Sequence, residues 1–151
     1  MTIGRDTVVL FDASCLVAAG GSSRGGSAFV LRLCARGYLR GAVSRPILAE
    51  AERNTREKMG DLAAVQLERL LLAADLTRIL VPVWNVASGV NEKDRHVVAA
   101  AVAGRADVIL TLDRPLASEV NLSALATVAM TPGDFIRQEL PTHPDFPFAH
   151  H

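Results

Sequence analysis

The run Val108-Ile109-Leu110-Thr111-Leu112, closed by Asp113, limits the fold of this chain more than any other stretch. A strand with one wet face alternates apolar and polar residues, whereas an unbroken apolar run suits a strand covered on both faces, as in a parallel sheet. Val8-Val9-Leu10-Phe11, closed by Asp12, has the same form. Helical spacing fills the intervals. After a Gly/Ser-rich loop over 20–26, Ser27 offers an N-cap, and Phe29, Val30, Leu33 and Cys34 recur at helical period up to a stop at Gly37. Gly41-Ala42-Val43-Ser44 reads as a second strand, and Pro46 opens a helix that carries Glu50 and Glu52 toward Gly60. Asp61 heads an amphipathic stretch containing Leu62, Val65, Leu67, Leu70, Leu71 and Ala74.

Residues 78–84 read as a further strand, with Pro82 suggesting an edge or a strand end, and 85–91 as a loop. Asp94 opens an Ala-rich helix over 95–103 closed by Gly104, and Val128-Ala129-Met130 is a last strand before a helix from Pro132 through Gln138. The order β-α-α-β-α-α-β-α-β-α-β-α predicts a three-layer α/β/α sandwich with a mainly parallel central sheet. Residues 1–140 read as a single domain and 141–151 as a Pro-rich, flexible tail, in which His150 and His151 carry no chemical weight.

Of the 151 residues, 50% are apolar and 21% charged, enough to build a core and too apolar for a disordered chain. Apolar runs fall short of the ~18 residues of a membrane span, and the N-terminus lacks the shape of a signal peptide. Cys15 and Cys34 have apolar neighbours and no metal-like spacing, which suits buried free thiols in a reducing, cytoplasmic setting rather than a disulfide framework. The net charge of zero conceals an asymmetry. Residues 1–60 hold nine Lys+Arg against five Asp+Glu (+4), and residues 61–151 hold seven against eleven (−4). A basic face suits a polyanion, but with fourteen Arg and two Lys a solvated, Arg-biased surface is the preferred reading of the charge alone.

The acids are more informative. In an open parallel sheet, ligands bind beyond the carboxyl ends of the strands, and Asp12 and Asp113 both stand there. Asp94 opens the helix leading into the Asp113 strand, and Glu50 lies in a helix that also follows a strand. Each has a local alternative: Asp12 and Asp94 as helix caps, Asp113 as a turn former before Pro115, Glu50 as a solvated carboxylate beside Arg53 or Asn54. Together they predict one acidic cleft. Several carboxylates in one cleft raise each other's pKa unless a cation sits among them. Oxygen ligands without Cys or His favour a hard divalent ion, Mg²⁺ or Mn²⁺. Such an ion can orient a phosphodiester and activate water.

Val9-Leu-Phe-Asp12-Ala-Ser14, Ser44-Arg-Pro-Ile-Leu-Ala-Glu50, Lys93-Asp94 through Ala101 running into Ala106-Asp-Val-Ile-Leu-Thr111-Leu-Asp113, and Val128 through Ile136 resemble the PIN domain family, the fold of VapC-like toxin ribonucleases in toxin–antitoxin systems. The resemblance spans roughly residues 7–140 and implies a metal-dependent endoribonuclease that leaves a 5′-phosphate and a 3′-hydroxyl. By position, Asp12, Glu50, Asp94 and Asp113 match the acidic quartet. Asp12, Asp94 and Asp113 would be metal ligands, Glu50 would hold metal-bound water or a second ion, and Ser14 and Thr111 would orient the carboxylates. Arg95 and Arg114 would contact RNA. Pro115 stands where many relatives carry a further acid, which argues against a second ion. His96 lies near Asp94 on a helix, where neighbours point about 100° apart, and so is expected to be a structural or rim residue. The toxin branch further implies a homodimer and a cognate antitoxin, with no membrane association. The competing reading is a catalytically silent PIN-like module binding RNA or protein, which loss of Glu50 or Asp94 would have favoured. A haloacid-dehalogenase-like phosphatase would need a second Asp where Ser14 stands. A phosphoreceiver domain would need an acidic pair before Asp12 and a Lys after a late strand, and neither is present.

Overall fold

The structure, a computed structural model, describes residues 1–81 and 94–148. The end of the expected third strand at Pro82–Trp84, the loop 85–91, and His150 and His151 lie outside the described residues.

The apolar runs become the centre of a five-stranded, all-parallel sheet. Its strands are β1 (Val8–Phe11), β2 (Arg40–Ser44), β3 (Thr77–Ile79), β4 (Val108–Leu110) and β5 (Val128–Met130), in the spatial order β3-β2-β1-β4-β5. Val9, Leu10, Phe11, Val108, Ile109 and Leu110 are fully buried, as expected of strands covered on both faces. β1 pairs with β4 in the register Val9↔Val108, Leu10↔Ile109, Phe11↔Leu110. The helices are α1 (Ala13–Gly21), α2 (Gly26–Ala35), α3 (Arg45–Met59), α4 (Asp61–Ala74), α5 (Arg95–Ala103), α6 (Arg114–Leu122) and the short α7 (Pro132–Asp134), the last running into a wider helical turn, Phe135–Glu139. Right-handed crossovers put α1 to α4, which serve β1→β2→β3, on one face, and α5 and α6, which serve β3→β4→β5, on the other. The three layers and the parallel sheet are those the element order predicts.

Helix termini follow local chemistry. Ser44 caps α3, its Oγ accepting from Ile47 N at 3.3 Å, and Thr131 caps α7. Beyond the end of α2, Gly37 with its φ of +81° turns the chain away from the helix while Tyr38 N donates back to Leu33 O. The edge strand β5 is closed by Asn121, whose side-chain amide donates to Ala129 O and accepts from Ala129 N, both at 2.8 Å. A paired edge offers no backbone groups to another strand.

Three expectations are corrected. Gly20 and Gly21 belong to α1 rather than to a loop. A Cβ on Gly20 would meet Ala63 O at 2.9 Å, so this glycine lets α1 and α4 approach closely. In α4, Leu67, Ala64 and Ala74 are buried, but Leu62 is 88% and Val65 44% exposed, so part of the expected core stripe faces outward, as does Leu72. Residues 141–148, expected to form a flexible tail, pack instead. His143 is buried, its Nε2 lying 2.7 Å from Tyr38 O while its Nδ1 accepts from Asp145 N at 3.0 Å. With Nδ1 the acceptor, Nε2 carries the proton and donates. Phe148 meets Tyr38 and His143 edge-on, and Arg5 bonds Asp145 at 2.8 Å. The aromatic residues of the tail have apolar partners to bury against, a contribution that proline content does not reveal. Both cysteines are buried and free, and burial pushes both thiols up, Cys34 to about 12.

The α1–α3–α4 junction makes opposite predictions for two neighbouring positions. Gly20→Ala is expected to cost about 1–3 kcal/mol by forcing the helices apart. Thr55 is fully buried, and its Oγ1 has no partner among the described residues. Thr55→Val, which removes that hydroxyl at nearly constant shape, is expected to leave stability unchanged or raise it. Urea unfolding midpoints of the two variants against the parent check both signs.

Candidate metal centre

In the order β3-β2-β1-β4-β5, chain progression reverses between β1 and β4, and the crevice beyond their carboxyl ends is where such sheets bind ligands. Two backbone bonds carry the strands into it: Asp12 N donates to Leu110 O at 3.0 Å, and Thr111 N to Met130 O at 3.0 Å. Asp12 and Thr111 therefore stand side by side. The Thr111 hydroxyl donates to Asp12 Oδ2 at 2.7 Å and accepts from Asp113 N at 3.0 Å. The Ser14 hydroxyl donates to the same Oδ2 at 3.0 Å and accepts from Leu112 N at 3.0 Å. Each hydroxyl has one proton, and each gives it to Asp12, so the 3.4 Å approach of Ser14 Oγ to Thr111 Oγ1 is a contact rather than a third bond. Asp12 Oδ1 accepts from Ala13 N at 2.8 Å. Two parallel relays, amide to hydroxyl to carboxylate, thus fix the orientation of Asp12, which is only 6% exposed.

Asp113 caps α6 by accepting from Leu116 N through Oδ1 at 3.0 Å. Asp94 precedes α5 but makes no side-chain cap bond, so the capping alternative does not account for it. Glu50 enters from α3. These four carboxylates line one cleft of about 520 Å³ with Ala13, Ser14, Val17, Asn54 and Lys58. Acids 38, 44 and 19 residues apart in sequence are thus brought together. Burial raises the pKa of Asp94, and the charges of Asp113, Asp12 and Glu119 raise it further, while His96 lowers it.

Among the described residues, Arg95 and Arg114 are not part of the cleft lining, and the cation that is part of it is Lys58. Glu119, on α6, acts on Asp94 through its charge and was not anticipated. Lys58 was not expected in the cleft, and Asn54 only as a local neighbour of Glu50, although their spacing of four and eight residues from Glu50 puts all three on one face of a helix. His96 is half-buried, with Nδ1 unpartnered among the described residues.

Among the described residues, no three His, Cys, Asp or Glu side chains close on a common point as a preformed cage. The acids line an open cleft instead. The donor set is nonetheless that of a hard divalent ion: carboxylate oxygens without sulfur ligands, in a cleft wide enough for an ion that keeps several waters. The carboxylate repulsion felt at Asp94 is what a cation would relieve.

The chain belongs to the PIN domain family, whose profile matches residues 8–115, a span holding all four acids. Members of this family are generally nucleases that use divalent metals. Among solved structures, a chain of VapBC2 from Rickettsia felis, crystallised bound to a DNA fragment from their promoter, superposes with a TM-score of 0.58 at 13% identity, over 83% of this chain and 98% of that one. At that identity the likeness speaks for the fold. Curated proteins give no match.

A carboxyl group whose pKa is raised by folding binds its proton more tightly in the native state than in the unfolded one. Its stabilising contribution is therefore present below the ordinary value of 3.8 and is lost as pH rises through the native value. Asp94→Asn, which removes the charge, is expected to melt higher than the parent at neutral pH in chelator. The gap should close below pH 3.8, as thermal melts across the acid range would show.

Proposed function

We propose that this protein is a Mg²⁺- or Mn²⁺-dependent endoribonuclease and the toxin of a toxin–antitoxin pair. The observation that carries the reading is the single cleft shared by Asp12, Glu50, Asp94 and Asp113, in which burial, and then the acids around it, disfavour Asp94 as an anion. Asp12, Asp94 and Asp113 would hold the ion, with Glu50 acting through its water. When bound, the ion supplies charge to a phosphodiester oxygen and lowers the pKa of water. The chain contributes the rest. Ser14 and Thr111 lock Asp12 in one orientation, Asp113 stays fixed by capping α6, and Glu50 would accept a proton from the attacking water. In-line attack on RNA would leave a 5′-phosphate and a 3′-hydroxyl.

The VapBC2 neighbour supports an antitoxin as partner, and the exposed Leu62, Val65 and Leu72 of α4 support a protein contact, with the antitoxin or with a second copy in a homodimer. Among the described residues, no helix is long and apolar enough to cross a membrane, and we place the activity in the cytoplasm. A silent RNA-binding module would not need its acids held in such mutual repulsion.

Cleavage of a pool of single-stranded and structured RNA tests the proposal. Cutting is expected with Mg²⁺ or Mn²⁺, to be abolished by EDTA and by Asp94→Asn, and to halt bacterial growth only with the parent. Equal cutting by parent and variant would refute it. Thr111→Val, which removes one of the three bonds that orient Asp12 and orphans Asp113 N, is expected to lower the rate by about 10–100-fold. Mn²⁺ should raise the melting temperature of the parent and not that of Asp94→Asn.

A further inference from the structure

An acidic cleft repels the polyanion it is proposed to cut, so a strand can enter only where a cation meets it. The cleft wall formed by α3 changes charge along its length. Glu50, Asn54 and Lys58 recur every four residues, each about 6 Å further along the axis, so Lys58 stands about 12 Å from Glu50. All three line the cleft. The face thus runs from a carboxylate through a neutral amide to an ammonium at the exposed mouth.

Of the two basic residues in the last turn of α3, Arg56 is otherwise engaged. Arg56 pairs with Asp61 at 2.9 Å and approaches Glu52 at 3.9 Å. Among the described residues Lys58 has no ion-pair partner. It is also the only lysine among them, in a chain whose other described basic side chains are arginines. An ammonium on a flexible stem binds phosphate as a point charge without the fixed fork of a guanidinium, which suits a strand that must slide. We propose that Lys58 is a phosphate anchor, holding a backbone phosphate of the RNA strand beside the scissile one and directing the strand out of the cleft along α3. The inference rests on the ribonuclease reading and adds the path of the strand. The last-turn position of Lys58 also favours a cation through the helix dipole, but that role concerns stability and not salt-dependent binding.

The test is fluorescence anisotropy with a labelled single-stranded RNA, in the Asp94→Asn background with Mg²⁺ present, over a series of KCl concentrations. Adding Lys58→Ala is expected to weaken binding at low salt and to flatten the log–log salt dependence by about 0.7, the loss of one phosphate contact. Lys58→Arg should retain the slope. Arg40→Ala, at the amino end of the sheet where Arg40 pairs with Asp6, should leave both quantities unchanged. An unaltered slope in Lys58→Ala, or equal losses in Lys58→Ala and Arg40→Ala, would overturn the anchor. If the parent cuts RNA while the slope ignores Lys58, only the anchor falls. If the parent neither cuts nor binds RNA, the ribonuclease reading falls with it.

Discussion

The parallel register of β1 on β4 is the constraint from which the site follows. With Phe11 opposite Leu110, the next residues out of the sheet are Asp12 and Thr111, and their side chains meet beyond its edge. A slip of one residue would turn every side chain of a strand to the other face. It would place Phe11 or Leu110 where the hydroxyl–carboxylate bond now lies. The register is held by complete burial of both strands, so the apolar core and the polar cleft are set by the same pairing.

On that frame the molecule holds together groups that repel one another. Asp94 is the member that reports the conflict, through burial and through the charges of Asp113, Asp12 and Glu119. Asp12 and Asp113 are better accommodated. Asp12 accepts bonds from two hydroxyls and an amide, and Asp113 takes the first-turn N–H of α6. Asp94 lacks a capping bond and is left to the electrostatics of the cleft. Functional sites commonly retain such local conflicts while the surrounding fold supplies the stability. Here the fully buried strands and the close α1–α4 contact at Gly20 do so.

Much of this was legible in the chain itself. Continuous apolar runs ended by aspartates specify buried parallel strands, and the alternation of strands with helical periods specifies the layers. Ser14 and Thr111 could be paired with Asp12 through family likeness. What escaped were contacts that depend on which surfaces meet. Gly20 and Gly21 read as loop residues because glycine is a poor helix former, whereas here they make room for α4. The Pro-rich segment 141–148 read as a tail because its partners, Arg5 and Tyr38, lie more than a hundred residues away. Arg95 and Arg114 adjoin acids in sequence, yet among the described residues it is Lys58, eight residues from Glu50, that lines the cleft with them.

The amino-acid order by itself determined the strands, their burial on both faces and the identity of the four acids, because these depend on local periodicity and on what a strand end exposes. The closing of those acids into one cleft, the relays that orient Asp12, and the choice of which cation faces them were decided only by the tertiary structure. Each depends on distances between segments dozens of residues apart, and those distances come from the strand order and helix packing rather than from any local pattern.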